Sequence, residues 1–338
     1  MVSTIARRRP VAADPRAQVR ITRLFEDRSI PMLVTPAVAG LELVDWAERL
    51  GIDGLDALLV EHRALLFRGF EGQTAETLHP FFAATCRGGP LKYRDRTTPR
   101  YEIQGGVYTS TTYPHDRRIA LHNEGSYWTT APLKLYFACR TAAQAGGETP
   151  IADVVKVHGR LRPELVEPFE RHGFMLIRNY HDGISMPWRE VFQTDDRAEV
   201  ERYCSANAIE AEWLPDNRLR TRQVRKAVRV HPRTGDKAWF NHAAFFHISS
   251  YAPDVAAAML SSLGPDDLPY ATRYGDGSPI PDSVIAEINQ AYEAEKVQFP
   301  WREGDVMLLD NVAVAHAREP YIGDRMVYVA MGEILPEC

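Results

Sequence analysis

Leu121-His122-Asn123-Glu124-Gly125-Ser126-Tyr127-Trp128 is the stretch on which the reading of this chain turns. On an extended strand, residues i and i+2 point to the same face. The imidazole of His122 and the carboxylate of Glu124 can therefore reach one metal ion together. Far downstream, Asp310-Asn311-Val312-Ala313-Val314-Ala315-His316 offers a third donor in His316. Two histidines and one carboxylate on one side of a metal leave the opposite positions open, the pattern of non-haem Fe(II) oxygenases. Taken alone, His-x-Glu is a short motif that recurs by chance, and its plainer reading is two polar residues on a solvated strand. The same donors can hold zinc with an open position, so a zinc-dependent hydrolase or lyase stays open. A non-catalytic barrel that binds a small carboxylated ligand stays open as well.

Further motifs stand around this stretch. Val107-Tyr108-Thr109-Ser110-Thr111-Thr112-Tyr113-Pro114 precedes it, and Gly146-Gly147-Glu148-Thr149-Pro150-Ile151-Ala152-Asp153 follows. Trp239-Phe240-Asn241 and the run from Asp310-Asn311 to Arg325 come later. In this order, from about residue 30 to about residue 335, the chain resembles the TauD/TfdA family of Fe(II)- and 2-oxoglutarate-dependent dioxygenases. Within that family it most resembles the syringomycin-type branch of SyrP-like amino-acid hydroxylases. The resemblance implies a double-stranded β-helix (jelly roll) core, with Fe(II) held by His122, Glu124 and His316. It implies that 2-oxoglutarate and O2 are consumed and that succinate and CO2 are released. Arg325 is then the residue that grips the distal carboxylate of 2-oxoglutarate, and Thr149 its hydroxyl partner. The family mostly has aspartate where this chain has Glu124, a departure that bears on geometry. Related halogenases have a small residue there, so the carboxylate favours hydroxylation over halogenation. Desaturation and oxidative cyclisation share the same first step and remain alternatives.

The residue types suit these roles. An arginine fork donates two parallel hydrogen bonds to a carboxylate, although Arg325 in Gly323-Asp324-Arg325 also reads as a surface turn residue. Arg318, two residues after His316, is a second candidate for a carboxylate of cosubstrate or substrate. Asn241 and His242, a polar pair within an aromatic run, are candidates for a pocket wall with a few directed hydrogen bonds. Tyr108, Ser110, Asn123, Ser126 and Tyr127 flank the candidate metal strand and are further substrate-pocket candidates. Arg218, Arg220, Arg222, Arg225 and Arg229 read as a solvated strand face, or as the dock of an acidic carrier protein if the substrate is tethered to one.

The 338 residues are 45% hydrophobic and 25% charged, enough for a sizeable core. A net charge of −5 gives no sign of a nucleic-acid partner, and no apolar run approaches a membrane span. Residues 1–20 carry Arg7-Arg8-Arg9 without an apolar signal stretch and are expected to be a disordered arm. Residues 21–338 are expected to be a single dioxygenase domain, with a helical and irregular insertion around 181–222. Cys86, Cys139, Cys204 and Cys338 lack any C-x-x-C spacing and read as free thiols of a cytoplasmic protein.

Along the chain, Ala64 to Phe70, Leu133 to Cys139, Phe174 to Tyr180, Val224 to His231, Asp305 to Asp310 and Met326 to Met331 read as strands. Helices are expected at 41–50, 74–86, 154–172 with a break at Pro163, 195–207, 254–263 and 282–294. Many strands, fewer helices and no regular βαβ alternation predict a mainly β fold with α insertions, a sandwich or jelly roll.

Overall fold

Strands built almost entirely of apolar residues need cover on both faces. Ala64–Phe67 and Val306–Asp310 are buried throughout and lie side by side at the middle of an eight-stranded sheet. The computed structural model describes residues 14–91, 101–109, 113–181 and 184–335. The spatial order of the large sheet is Val19–Arg23, Met32–Pro36, Ala64–Phe67, Val306–Asp310, Pro132–Thr141, Met326–Ile334, Val107–Thr109 and Glu102–Gln104. A second sheet of four strands, in the order Lys296–Val297, Ile151–Asp153, Val314–Arg318 and Ile119–His122, faces it.

Side-chain alternation along Pro132–Thr141 shows how the layers pack. Leu135, Phe137 and Cys139 point inward to a core shared with Ile151 and Val314 of the small sheet. Tyr136 and Ala138 point the other way, where Trp46, Leu55, Phe81 and Phe82 cover them. Those four belong to the helices Leu43–His62 and Leu78–Thr85. The first helix is twice as long as its periodicity predicts and runs across a kink at Gly51, whose φ is +74°. The expected break at Pro163 is present, between Val154–Arg160 and Pro163–His172, because a proline cannot donate to the preceding turn.

Three expectations need correction. Residues 14–20 are not a disordered arm. They form the short 3-10 turn Pro15–Gln18 and the start of the edge strand Val19–Arg23, where the Trp46 indole donates to the Pro15 carbonyl at 2.9 Å. Residues 1–13 lie outside the described residues. Val224 to His231 is not one strand. Arg218–Arg225 pairs with Phe174–Tyr180, and Val228–Val230 pairs instead with Lys237–Trp239, so the chain changes partners between them. The arginines of this stretch do not form a free basic patch. Arg220 pairs with Asp267 at 2.8 Å and Arg222 with Glu212 at 2.8 Å. Arg218 lies 3.5 Å from Asp267. Arg225 is buried and donates to the carbonyls of Tyr127 and Asn207, and Arg229 is buried over the Phe240 ring.

The 181–222 stretch contributes the helices Trp188–Phe192 and Arg197–Ala206, the strand Glu210–Leu214 and the start of Arg218–Arg225, which pair in a separate four-stranded sheet with Phe174–Tyr180 and Tyr270–Tyr274. Trp188, Val191, Val200, Cys204 and Leu219 form its own small core.

Under the large sheet, Lys134 is 1% exposed. Its ammonium donates to Thr85 O at 2.9 Å and pairs with Asp56 at 2.5 Å and Glu333 at 2.6 Å. Removing one partner of a buried charge network strands the others. Lys134→Met is expected to lower unfolding stability by about 3–5 kcal/mol, read as a lower urea midpoint at unchanged slope.

Candidate metal centre and its cavity

The small sheet brings together residues that are far apart in sequence. His316, midway along Val314–Arg318, is the direct cross-strand partner of His122, the last residue of Ile119–His122. Their ring centroids are 4.4 Å apart. Glu124 completes the group, and one donor atom from each of the three residues lies within 4.8 Å of the others. His316 Nε2 and Glu124 Oε2 are 4.0 Å apart. That is too long for a hydrogen bond; two neighbouring ligands with bonds of about 2.0–2.2 Å would stand about 3 Å apart, so the side chains would close by about 1 Å around a bound ion. His122 Nδ1 donates to the Ala120 carbonyl at 2.8 Å, which leaves Nε2 with the lone pair a metal needs. The donor set and its spacing fit an Fe(II) site with open positions.

The two-residue alternation of a strand explains only part of this arrangement. The strand ends at His122, and Glu124 stands in the turn that follows. Its direction is set by Asn311 rather than by strand pleat. Asn311 Oδ1 accepts from Glu124 N at 2.9 Å, and Asn311 Nδ2 donates to Glu124 O at 2.9 Å and to Pro132 O at 2.7 Å. The backbone flanking Asn311 is fixed by Asp310, whose carboxylate accepts from Val312 N at 3.0 Å and from the ring of His231 at 2.7 Å. The next residue, Gly125, has a φ of +66°, and a Cβ there would sit 2.4 Å from the Trp128 ring. Only glycine allows the chain to turn so sharply after the carboxylate. Asn311→Ala is expected to weaken iron binding about 10–100-fold, the usual cost of losing a residue that orients a ligand. Titration of the apo protein with Fe(II) checks this, with circular dichroism as the control for folding.

The three donors line a cavity of about 200 Å³. Arg325 and Arg318 line it too, and Phe245, Phe246, Tyr251 and Tyr270 contribute aromatic rings to its wall. Arg325 donates through Nε to Gly147 O at 2.6 Å and through Nη2 to Thr149 Oγ1 at 3.2 Å. Thr149 Oγ1 also accepts from the Trp301 indole at 3.0 Å. With both of its acceptor positions used, its own O–H is left to donate. Burial pushes the Arg325 guanidinium down to about 10, helped by the neighbouring charge of Arg318. Burial lowers Arg318 as well. Among the described residues neither arginine has a carboxylate within ion-pair distance.

The other predicted residues divide between cavity and scaffold. His242 lines the cavity 5.4 Å from the His122 ring. Complete burial, with His122 beside it, holds its imidazole well below the usual histidine range, and it shares a short hydrogen bond with Ser126. Ser126 therefore stands behind His242 and not in the cavity wall. Asn123 donates to Asn311 O at 2.6 Å, and Asn241 donates to Ala227 O at 2.8 Å. Both are buried scaffold residues and not the pocket donors expected. Tyr108 is buried in the large sheet, paired with Val329, and is not among the cavity-lining residues. Ser110 lies outside the described residues. Sequence reasoning missed Asn311 and the wall residues Phe245, Tyr251 and Tyr270. The aromatic density of residues 238–246 was the available signal for Phe245, whereas nothing local marked Tyr251 or Tyr270.

A jelly-roll sandwich with two imidazoles and a carboxylate facing an arginine-bearing cavity defines a non-haem iron oxygenase of the 2-oxoglutarate-dependent class. The chain belongs to the TauD/TfdA family: residues 27–331 match the family model described as taurine catabolism dioxygenase TauD, TfdA family. It is 42% identical over 277 residues to the dapdiamide synthesis protein DdaC of Enterobacter agglomerans, covering 82% of this chain and 84% of that protein. It is 30% identical over 324 residues to a clavaminate synthase-like protein of Arabidopsis thaliana, covering 91% and 94% respectively. The crystal structure of PvcB from Pseudomonas aeruginosa has a similar fold, with a TM-score of 0.57, 16% identity and coverage of 97% and 96%. The protein is a non-haem Fe(II)/2-oxoglutarate-dependent oxygenase, with O2 as the oxidant. Among the described residues, no helix is long and apolar enough to cross a membrane.

Proposed function

We propose that this enzyme hydroxylates an unactivated carbon of an amino acid or amino-acid-derived small molecule, in the synthesis of a natural product. His122, Glu124 and His316 would hold Fe(II), and Arg325 with the Thr149 hydroxyl would hold the distal carboxylate of 2-oxoglutarate. The observation that carries this reading is the cross-strand pairing of His316 with His122, with Glu124 Oε2 4.0 Å from His316 Nε2, in one cavity with Arg325. The 42% identity to a dapdiamide synthesis protein supports the natural-product setting. When bound, iron supplies oxygen activation coupled to decarboxylation of 2-oxoglutarate, with succinate and CO2 released. The protein's own part is binding, orientation and exclusion of water. Arg325 and Thr149 orient the cosubstrate. The aromatic wall places the substrate carbon and keeps bulk water from the reacting centre. The same reading takes residues 14–335 as one catalytic domain in a cytoplasmic protein.

The test is incubation with Fe(II), ascorbate, 2-oxoglutarate and a panel of amino acids, free and carrier-loaded, followed by mass spectrometry. A gain of one oxygen with stoichiometric succinate is the expected result. Loss of two hydrogens instead would identify a desaturase or oxidative cyclase on the same site. Anaerobic addition of Fe(II) and 2-oxoglutarate should give a green absorption band. Its absence, together with no consumption of 2-oxoglutarate, would sink the reading and favour a zinc-dependent enzyme or a binding barrel.

A further inference from the structure

Arg318 is only 4% exposed and lines the same cavity as the candidate ligands. It stands two residues after His316 on one strand, and both side chains line the cavity although the pairing with Ile119–His122 shifts register between them. Its Nη1 donates to Tyr113 O at 2.8 Å, and its Nη2 donates to Pro114 O at 2.5 Å and to Arg117 O at 2.7 Å. The rings of Tyr113 and Tyr321 flank the guanidinium at 5.7 and 5.4 Å. These contacts fix its position with neutral groups only. Its buried Nε has no hydrogen-bond partner among the described residues. Asp116, on the adjacent turn, is exposed and faces Arg117 at 3.9 Å. Arg118, the third arginine of the cavity, already has Glu293 at 2.6 Å and Glu319 at 3.5 Å.

A buried cation without an anion is costly, and in folded proteins such groups are paired or await a charged ligand. The charges of the proposed function, on which this inference rests, do not supply that partner. Among the groups at the cavity wall, a divalent metal, Glu124, Arg325 and the dianionic cosubstrate sum to zero and the charge of Arg318 is left over; Glu148, which acts on Arg325, does not line the cavity. We propose that Arg318 receives a carboxylate of the substrate, so that the substrate enters this cavity as a free acid. A substrate presented as a carrier thioester would offer a neutral carbonyl there. The internal pairing of Arg218, Arg220 and Arg222 with acidic neighbours agrees, since it leaves no free basic patch on that strand for an acidic carrier.

The test uses benzoate and benzamide as isosteric probes, an acid and its neutral counterpart that both suit an aromatic wall. Each is titrated into the full chain saturated with Mn(II) and N-oxalylglycine, an inert analogue of the cosubstrate. Binding is read by calorimetry and by the thermal midpoint. Benzoate is expected to bind at least tenfold tighter than benzamide. Arg318→Gln should abolish that preference while changing N-oxalylglycine affinity less than threefold. Arg318→Lys, which keeps the charge, should retain the preference and serves if the glutamine variant does not fold. The proposal is overturned if wild-type protein shows no preference for the acid, including no binding of it. It is also overturned if the preference survives Arg318→Gln, or if that variant loses tenfold or more in N-oxalylglycine affinity, which would place Arg318 on the cosubstrate. In every such outcome N-oxalylglycine binding by the wild type still reports separately on the proposed function.

Discussion

Replacing His316 with alanine is expected to lower succinate formation by on the order of a thousandfold or more, while the protein stays folded. A bound metal contributes several kcal/mol to the reaction it promotes, and each 1.36 kcal/mol is a factor of ten in rate. His316 sits at the centre of its strand, and its loss would leave one imidazole and one carboxylate on the ion. The strand itself should survive, because Val314, Ala315 and Ala317 stay buried and the backbone pairing with Ile151 and His122 does not use the ring. Parallel measurement of iron content separates this outcome from a general loss of structure. A variant that keeps both iron and wild-type succinate formation would remove His316 from the centre, and the proposed ligand set with it.

Arg325→Ala is expected to raise the KM for 2-oxoglutarate roughly a hundredfold or more, with a smaller change in kcat at saturating cosubstrate. Truncating one member of a buried, hydrogen-bonded charge pair costs about 2–5 kcal/mol, and a planar fork that donates two parallel bonds is not replaced by water. The site is prepared for that partner. Arg325 is held by Gly147 O and Thr149 Oγ1, and its guanidinium is pushed down to about 10 by burial and the charge of Arg318. An arriving carboxylate relieves both costs. The same argument predicts that N-oxalylglycine raises the thermal midpoint of the wild type and not that of Arg325→Ala. An unchanged KM in the variant would move the cosubstrate away from this arginine.

Much of the architecture was legible in local patterns. The apolar runs at 64–67, 133–139 and 306–310 announce strands covered on both faces, and the break at Pro163 follows from a missing donor. Other features were not legible. The length of Leu43–His62 was hidden by Gly51, which interrupts the periodicity that marks a helix. Asn123 and Asn241 looked like pocket donors because polar residues beside a candidate site attract that reading. Their hydrogen bonds go to Asn311 O and Ala227 O, partners distant in sequence.

The chemistry of the donors was carried by residue identity: two imidazoles, one carboxylate and an arginine beyond them, in an order that already resembled one family. Identity determines which atoms can hold a metal or an anion, whatever their surroundings. Which of them share one cavity was decided by the tertiary structure alone. His122 and His316 meet through strand register, Glu124 is aimed by Asn311 after the strand has ended, and Arg218, Arg220 and Arg222 are paired with nearby acids while Arg318 has no carboxylate partner among the described residues. The physical reason is that direction, burial and charge pairing arise from long-range contacts, and no short stretch of sequence contains both members of such a contact.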